Sequence, residues 1–191
     1  MTKTRLEAFS DGVIAILITI MVLELKVPHG QDLAALQPLL PIFLSYVLSF
    51  VFLGIYWNNH HHLLHAVRKV NGPTLWANMH LLFWLSLIPF VTGWIGENHF
   101  HPVPVACYGF VLFMAGVAYF ILVRILLRHH SQDSLLHRAI GSDFKGKLSI
   151  VAYVVAMPLA FVHEWIAMGI YFAVAALWFM PDKRIESQVK E

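Results

Sequence analysis

Residues 5–28 read RLEAFSDGVIAILITIMVLELKVP, and the reading of this stretch decides the fold. Phe9 to Leu25 is an apolar run of helical composition, close to the roughly 20 residues that cross a bilayer core about 30 Å thick. No small-residue cleavage site follows it; Glu24, Lys26 and Pro28 do, so it reads as a retained transmembrane helix rather than a signal peptide. Ser10 and Asp11 sit inside the run or at its inner edge. A carboxylate at mid-helix depth costs about 3 kcal/mol on insertion scales, so Asp11 either rests at the headgroups, favouring the helix N-terminus, or has a polar partner. At about 100° per residue, with Ile16 at zero, Phe9, Gly12, Thr19, Ile20, Leu23 and Arg5 fall within roughly 60° of it. Asp11 lies at about 220°, on the reverse side. The stripe therefore faces lipid, a partner subunit or a pore axis, and the acid faces back into the subunit.

Outward from this helix the pattern repeats. Further apolar runs are Leu39 to Trp57, Leu75 to Ile95, Pro104 to Leu127, Leu148 to Val162 and Trp165 to Met180. Of 191 residues, 59% are hydrophobic and 13% charged, a balance that excludes a disordered chain and points away from a soluble domain. The single cysteine, Cys107, excludes an internal disulfide framework and a cysteine-based zinc site, and reads as a small apolar residue. A net charge of +2 is too small to argue for nucleic acid.

Charge placement sets the topology. With six spans and both termini cytoplasmic, Lys3, Arg5, Arg68, Lys69, Arg124, Arg128, Arg138, Lys145, Lys147, Lys183, Arg184 and Lys190 are inside, and only Lys26 is outside. A single long last helix kinked at Pro158 would put Lys183 and Arg184 outside, so a tight turn at His163-Glu164 is expected instead. Pro28-His29-Gly30 and Pro38 break the chain after the first span, and Asn71-Gly72-Pro73 is a turn signal after the second. Arg128 to Lys147 is an inside loop with room for a short amphipathic helix. Trp57, Trp94 and Trp165, near span ends, fit interfacial belts. The reading is an all-α, six-span protein of one domain, residues 1–191, multi-pass in the cell membrane.

Partners for Ser10 and Asp11 are expected on helices two and three: Trp57, Asn58, His60, His61, His62 and His65, then Asn78, His80, Trp84 and Ser86. His61 and His65 have a spacing that can bind zinc, but the cluster holds no carboxylate. It reads as polar packing around Asp11, with proton sensing as the alternative. No nucleophile-base pattern and no phosphate-binding glycine loop is present, so no enzyme and no resident cofactor is expected.

The run from Arg5 resembles the first helix of the potassium channels of the transmembrane protein 175 family, marked by Arg-x-x-x-Phe-Ser-Asp. Arg5, Phe9, Ser10 and Asp11 match it in full, and the length and six-span layout agree. The resemblance implies a homotetramer, since prokaryotic members carry one motif per chain whereas lysosomal relatives carry two repeats and dimerise. It implies a pore lined by helix one with no separate filter loop, a constriction at Ile16, and further lining at Thr19, Ile20 and Leu23. These are the residues of the stripe. Potassium would be the permeant ion, with modest selectivity. A Thr19 hydroxyl ring would replace part of an ion's hydration, unless each hydroxyl serves only to bond the Ala15 carbonyl. Glu24, Asp32 and Glu97 are candidates for an attractive outer mouth, with Glu24 alternatively paired to Lys26. Arg5 is expected to be held by Asp11 of a neighbouring subunit or by lipid phosphate. The rival functions are a proton path or proton-coupled transporter using Asp11 and the helix-two histidines, and a non-conducting scaffold.

Overall fold

The computed structural model describes residues 2–67, 69–128 and 143–179, and every described element is helical. Helix α1 is Lys3–Leu23, started by Thr2, whose hydroxyl accepts the Arg5 N–H. A 3-10 segment, Leu33–Leu39, capped by Asp32, feeds directly into α2, Leu40–His65. Pro38 therefore lies inside this lead-in rather than ending an element. Asn71 caps α3, Gly72–Ser86, as the Asn-Gly-Pro signal anticipates. The third apolar run is two helices, not one: α4, Ile88–Glu97, begins after a break at Leu87. Pro89 accounts for the break, since it supplies no N–H and its ring crowds the carbonyl four residues back. Helix α5 is Pro102–Arg128, α6 is Phe144–Leu159, and α7 is Glu164–Phe179.

Four stretches are long and apolar enough to cross a membrane: α1, Leu33–His65, Gly72–Glu97 and α5. Helices α6 and α7, 16 residues each, rise about 24 Å and are joined by a turn at 160–163. Two helices thus stand where one kinked helix was the alternative, and Pro158 sits in the last turn of the first. Of the anticipated loop from Arg128 to Lys147, residues 129–142 lie outside the described residues, and 144–147 already belong to α6.

Helix α1 packs on α2, α3 and α4; α3 packs on α5, α5 on α6, and α6 on α7, which returns to α2. At the centre, Phe52, Tyr108, Tyr153 and Tyr171 form an edge-on aromatic cluster with centroids 5.7–6.4 Å apart. Two of its three hydroxyls are satisfied on the protein: Tyr108 meets Ser49 at 3.0 Å, Ser49 meets Thr92 at 2.6 Å, and Tyr171 donates to the Val105 carbonyl at 3.2 Å.

Close approach of α2 and α4 depends on Gly96. A Cβ there would lie 2.7 Å from the Ile42 Cα and 2.8 Å from the Ser45 Oγ, so backbone must move. Gly96→Ala is expected to cost about 1–3 kcal/mol and to lower the thermal midpoint of the purified protein. Gly169→Ala, where a Cβ meets nothing within 4 Å, is expected to leave it unchanged.

Candidate functional site: the inner half of helix one and its exposed stripe

Helix α1 has two faces of different character. Leu6, Ser10, Ile14, Leu17 and Met21 are buried at spacings of three and four, the period of one helix face. The opposite side is bare: Ile16 is 56% and Leu23 76% exposed, against 1% for Ile14. Phe9, Gly12, Thr19 and Ile20 share that exposed side. From Phe9 to Leu23 the helical-wheel stripe is therefore one continuous surface on the isolated subunit, apolar except for one hydroxyl, with the exposed Arg5 at its N-terminal end.

That hydroxyl is bonded within its own helix. Thr19 Oγ1 donates to the Ile16 carbonyl at 2.9 Å, one residue nearer than the anticipated Ala15 carbonyl. The bond spends the hydroxyl proton and leaves the oxygen lone pairs as acceptors on the exposed face.

The buried side is pinned by polar groups. Trp57 Nε1, on α2, donates to Asp11 Oδ1 at 3.0 Å. The neighbouring His61 ring stacks on Trp57, 6.1 Å between centroids and 24° between planes, which steadies the indole. One residue earlier on α1, Ser10 donates to the Leu6 carbonyl at 2.9 Å and accepts from Asn78 Nδ2, on α3, also at 2.9 Å. Asn78 Oδ1 in turn meets His60 Nε2 at 2.7 Å. Ser10, Asn78 and His60 are all fully buried, and the chain of bonds ties α1 to α3 and α2 at one level.

Several expected partners stand elsewhere. Trp84 donates to His80 Nε2 at 2.9 Å, an i, i+4 pair within α3, and its ring meets Phe110 of α5 edge-on at 5.8 Å. Asn58 is exposed, one residue round the helix from Trp57. His61 supports Trp57 through its ring, while His60 joins the Ser10 network: adjacent residues on a helix diverge by about 100°, so only one can face α3. His61 and His65 rings lie 6.2 Å apart, and no three-residue metal-holding group occurs among the described residues. Just beyond the C-terminal end of α1, Lys26 pairs with Glu97 at 3.5 Å, not with Glu24. Glu24 instead lies along Gly93 of α4, where an added Cβ would sit 3.8 Å from its carboxylate oxygen, in ordinary contact.

The family model described as "Endosomal/lysosomal potassium channel TMEM175" matches residues 5–89. A protein of Chryseobacterium sp. (strain P1-3), named a potassium channel, is 58% identical over 191 residues, all of both chains. Another from Chamaesiphon minutus, also named a potassium channel, is 30% identical over 186 residues, 90% of each chain. A human protein named endosomal/lysosomal proton channel TMEM175 is 41% identical over 105 residues, 49% of this chain and 20% of that one. Among solved structures, the crystal structure of a lysosomal potassium-selective channel TMEM175 homolog from Chamaesiphon minutus superposes with a TM-score of 0.80 at 28% identity, covering 93% of this chain and 96% of that one. An all-helical chain matched end to end at 58% identity by one such relative belongs to the TMEM175 family, as a multi-pass membrane protein.

Proposed function

We propose that this protein is a passive, modestly potassium-selective cation channel, in which four copies of α1 surround one pore with Ile16 at its constriction. The observation that carries this reading is the two-sidedness of α1. Its back is held by Asp11–Trp57 and Ser10–Asn78–His60, and its front, bearing Ile16, Thr19, Ile20 and Leu23, is left bare. A single helix cannot enclose a path, and single-motif chains need several copies to do so. The names of the bacterial relatives supply the ion.

The physics of such a pore follows from its side chains. A ring of isoleucines excludes water, and an ion stripped of its hydration pays heavily to enter, so the ring closes the path by dewetting. Thr19 stands about one turn beyond, its hydroxyl proton already spent, so four oxygens with free lone pairs would face the axis. Such a ring replaces part of a hydration shell and favours the ion that gives up water more readily, which is potassium over sodium. It lacks the stacked carbonyl cage of a sharper filter. Both termini lie in the cytoplasm in this reading, supported by the twelve cations of thirteen that then fall inside.

A second reading keeps one observation of its own. His60 Nδ1 is buried with no hydrogen-bond partner among the described residues, at the end of a polar chain that reaches α1. An open proton acceptor there suits a proton path, and vertebrate relatives are named proton channels. Flux that persists with neither potassium nor sodium present would favour it.

In liposomes with an imposed potassium gradient, Ile16→Asn is expected to raise flux several-fold and to weaken the preference over sodium. Thr19→Val is expected to lower that preference with flux retained. Both variants behaving as wild type, in tetramers verified by size, would remove α1 from the ion path. Asn78→Leu leaves Ser10 and His60 with an unmet bond each, at about 1–3 kcal/mol per buried group. Its thermal midpoint should fall, and residual flux should no longer depend on Ile16 as in the wild type. Trp57→Phe, at a half-exposed site, should do less to stability.

A further inference from the structure

Away from α1, the α2, α5, α6 and α7 helices enclose a cavity of about 40 Å³, open on one side. It lies near the end of the bundle where Arg124 and Arg128 close α5 and Lys145 and Lys147 open α6. Its walls are aromatic, with Phe52, Tyr56, Tyr119, Phe120, Tyr153 and Trp178 among them, and Asp143 is the one carboxylate among the described lining residues.

Several donors at the cavity are spent on the protein. Asn59 Nδ2 donates to the Ile55 carbonyl at 2.8 Å, and Tyr119 donates to the Asn59 carbonyl at 3.2 Å. Trp178 Nε1 donates to Ser149 Oγ at 2.9 Å, and Ser149 donates to the Lys145 carbonyl at 2.8 Å. The Tyr56 and Tyr153 hydroxyls also line the cavity and can turn lone pairs toward a bound group. With the aromatic faces and the Asp143 carboxylate, they complement a cation carrying several N–H donors. Asp143 is only partly compensated. Burial pushes its carboxyl above the usual carboxylate range, while the Gly146 backbone N–H, Lys147 and Arg124 pull it down by less.

Size and rim chemistry narrow the ligand. At about 10–15 Å³ per water-sized centre, 40 Å³ takes about three such centres, the bulk of an ammonium and two methylenes. At the edge, the Arg124 guanidinium lies 4.8 Å from the centroid of Phe120, itself a wall of the cavity. A donor-only cation fits inside, and an anion two carbons away fits against Arg124. That is the order of charges in a phosphoethanolamine headgroup, and the end of a membrane-spanning bundle is where headgroups lie.

We propose that this cavity binds the headgroup of a phosphoethanolamine lipid, with the primary ammonium against Asp143 and the aromatic walls and the phosphate on Arg124. The same ammonium chemistry is offered by free alkylamines, and the test separates the two. It does not depend on ion flux, so it stands or falls apart from the pore.

Purified protein in detergent is titrated with short-chain phosphatidylethanolamine, phosphatidylcholine, phosphatidylglycerol or ethylammonium, with binding read by native mass spectrometry and by thermal shift. Saturable binding of the ethanolamine lipid is expected, at least tenfold weaker in Asp143→Asn. Phosphatidylcholine, whose trimethylammonium has no N–H and is too bulky for a cavity of about 40 Å³, and phosphatidylglycerol, which has no cation, should bind without regard to residue 143. Asparagine tolerates the left-handed backbone at 143 (φ 46°), so the variant should fold. Gly116→Ala gives a second check. Its Cβ would sit in ordinary contact 3.7 Å from Ile150 and 3.8 Å from the Tyr56 hydroxyl, filling space in the cavity, and it should weaken the same lipid. Wild-type binding should fade on acidification as Asp143 is protonated, beginning above the ordinary carboxylate range. The facing groups Tyr56 of α2, Tyr119 and Arg124 of α5, Lys147 of α6 and Trp178 of α7 keep their charge there, and Asp143→Asn should show no such step. Equal binding of all three lipids, or no effect of Asp143→Asn and Gly116→Ala, overturns the proposal. Ethylammonium binding as tightly as the lipid takes the phosphate out of the site and overturns the lipid assignment.

Discussion

Asp11 and Ser10 bring polar groups to the edge of the apolar run of α1, and most of the subunit's architecture answers to that. A carboxylate at such depth needs a donor, and the Trp57 indole supplies one while presenting an otherwise apolar body. A buried serine hydroxyl can satisfy itself on its own helix, as Ser10 does with Leu6, but its oxygen then draws the Asn78 amide. Asn78 in turn orders His60. Each link leaves a group that demands the next, so three helices are set at one depth by hydrogen bonds that lose energy if any member shifts. Dispersion alone orients membrane helices loosely, because lipid tails are as apolar as leucine. The polar chain removes that freedom from α1 and decides which of its faces is left bare.

The second requirement is tight packing behind α1. Helix α4 presses on α2 at Gly96, and the Thr92–Ser49–Tyr108 hydroxyls run through the same layer. The break at Leu87 lets α4 tilt independently of α3, so one apolar run serves two roles. Its first half carries Asn78 to the Ser10 level, and its second half backs the outer turns of α1 around Met21.

Much of this was legible from residue order, for a definite reason. Burial of a charged group in a membrane is costly enough that Asp11 predicts a partner, and a fixed angular step predicts on which side. Both held: Asp11 is met from α2, and Ile16, Thr19, Ile20 and Leu23 lie together on the bare face. The turn at 160–163 was legible because charge sidedness needs an even number of spans. What could not be read was the choice among near-equivalent partners. His60 and His61 differ by one helical step, and Trp84 and Asn78 lie on different sides of α3, so the outcome depends on the rotation of α2 and α3. That rotation is set by tertiary packing. Pro89 was a visible signal for the divided third run, since a proline inside an apolar stretch removes a backbone bond. The pairing of Lys26 with Glu97 was not legible, because the segment after α1 and the end of α4 are brought together only by the fold.

The same geometry bears on how a pore of the proposed kind would open. Ile16 lies five to six residues beyond the pins at Ser10 and Asp11, about 8 Å along the helix. Side-chain tips stand about 5 Å from the helix axis, so a rotation of α1 by about 20° moves each tip by about 2 Å. In the proposed tetramer that displacement swings each isoleucine tip sideways, away from its partners on the axis. Such a rotation strains the Trp57–Asp11 bond and the Ser10–Asn78 bond together, because both lie on the rotating helix and end on helices that stay behind. A gate built on apolar closure therefore gains its sensitivity from the polar anchors rather than from the isoleucines. The ring sets the barrier, and the hydrogen bonds set how far α1 turns before the barrier falls.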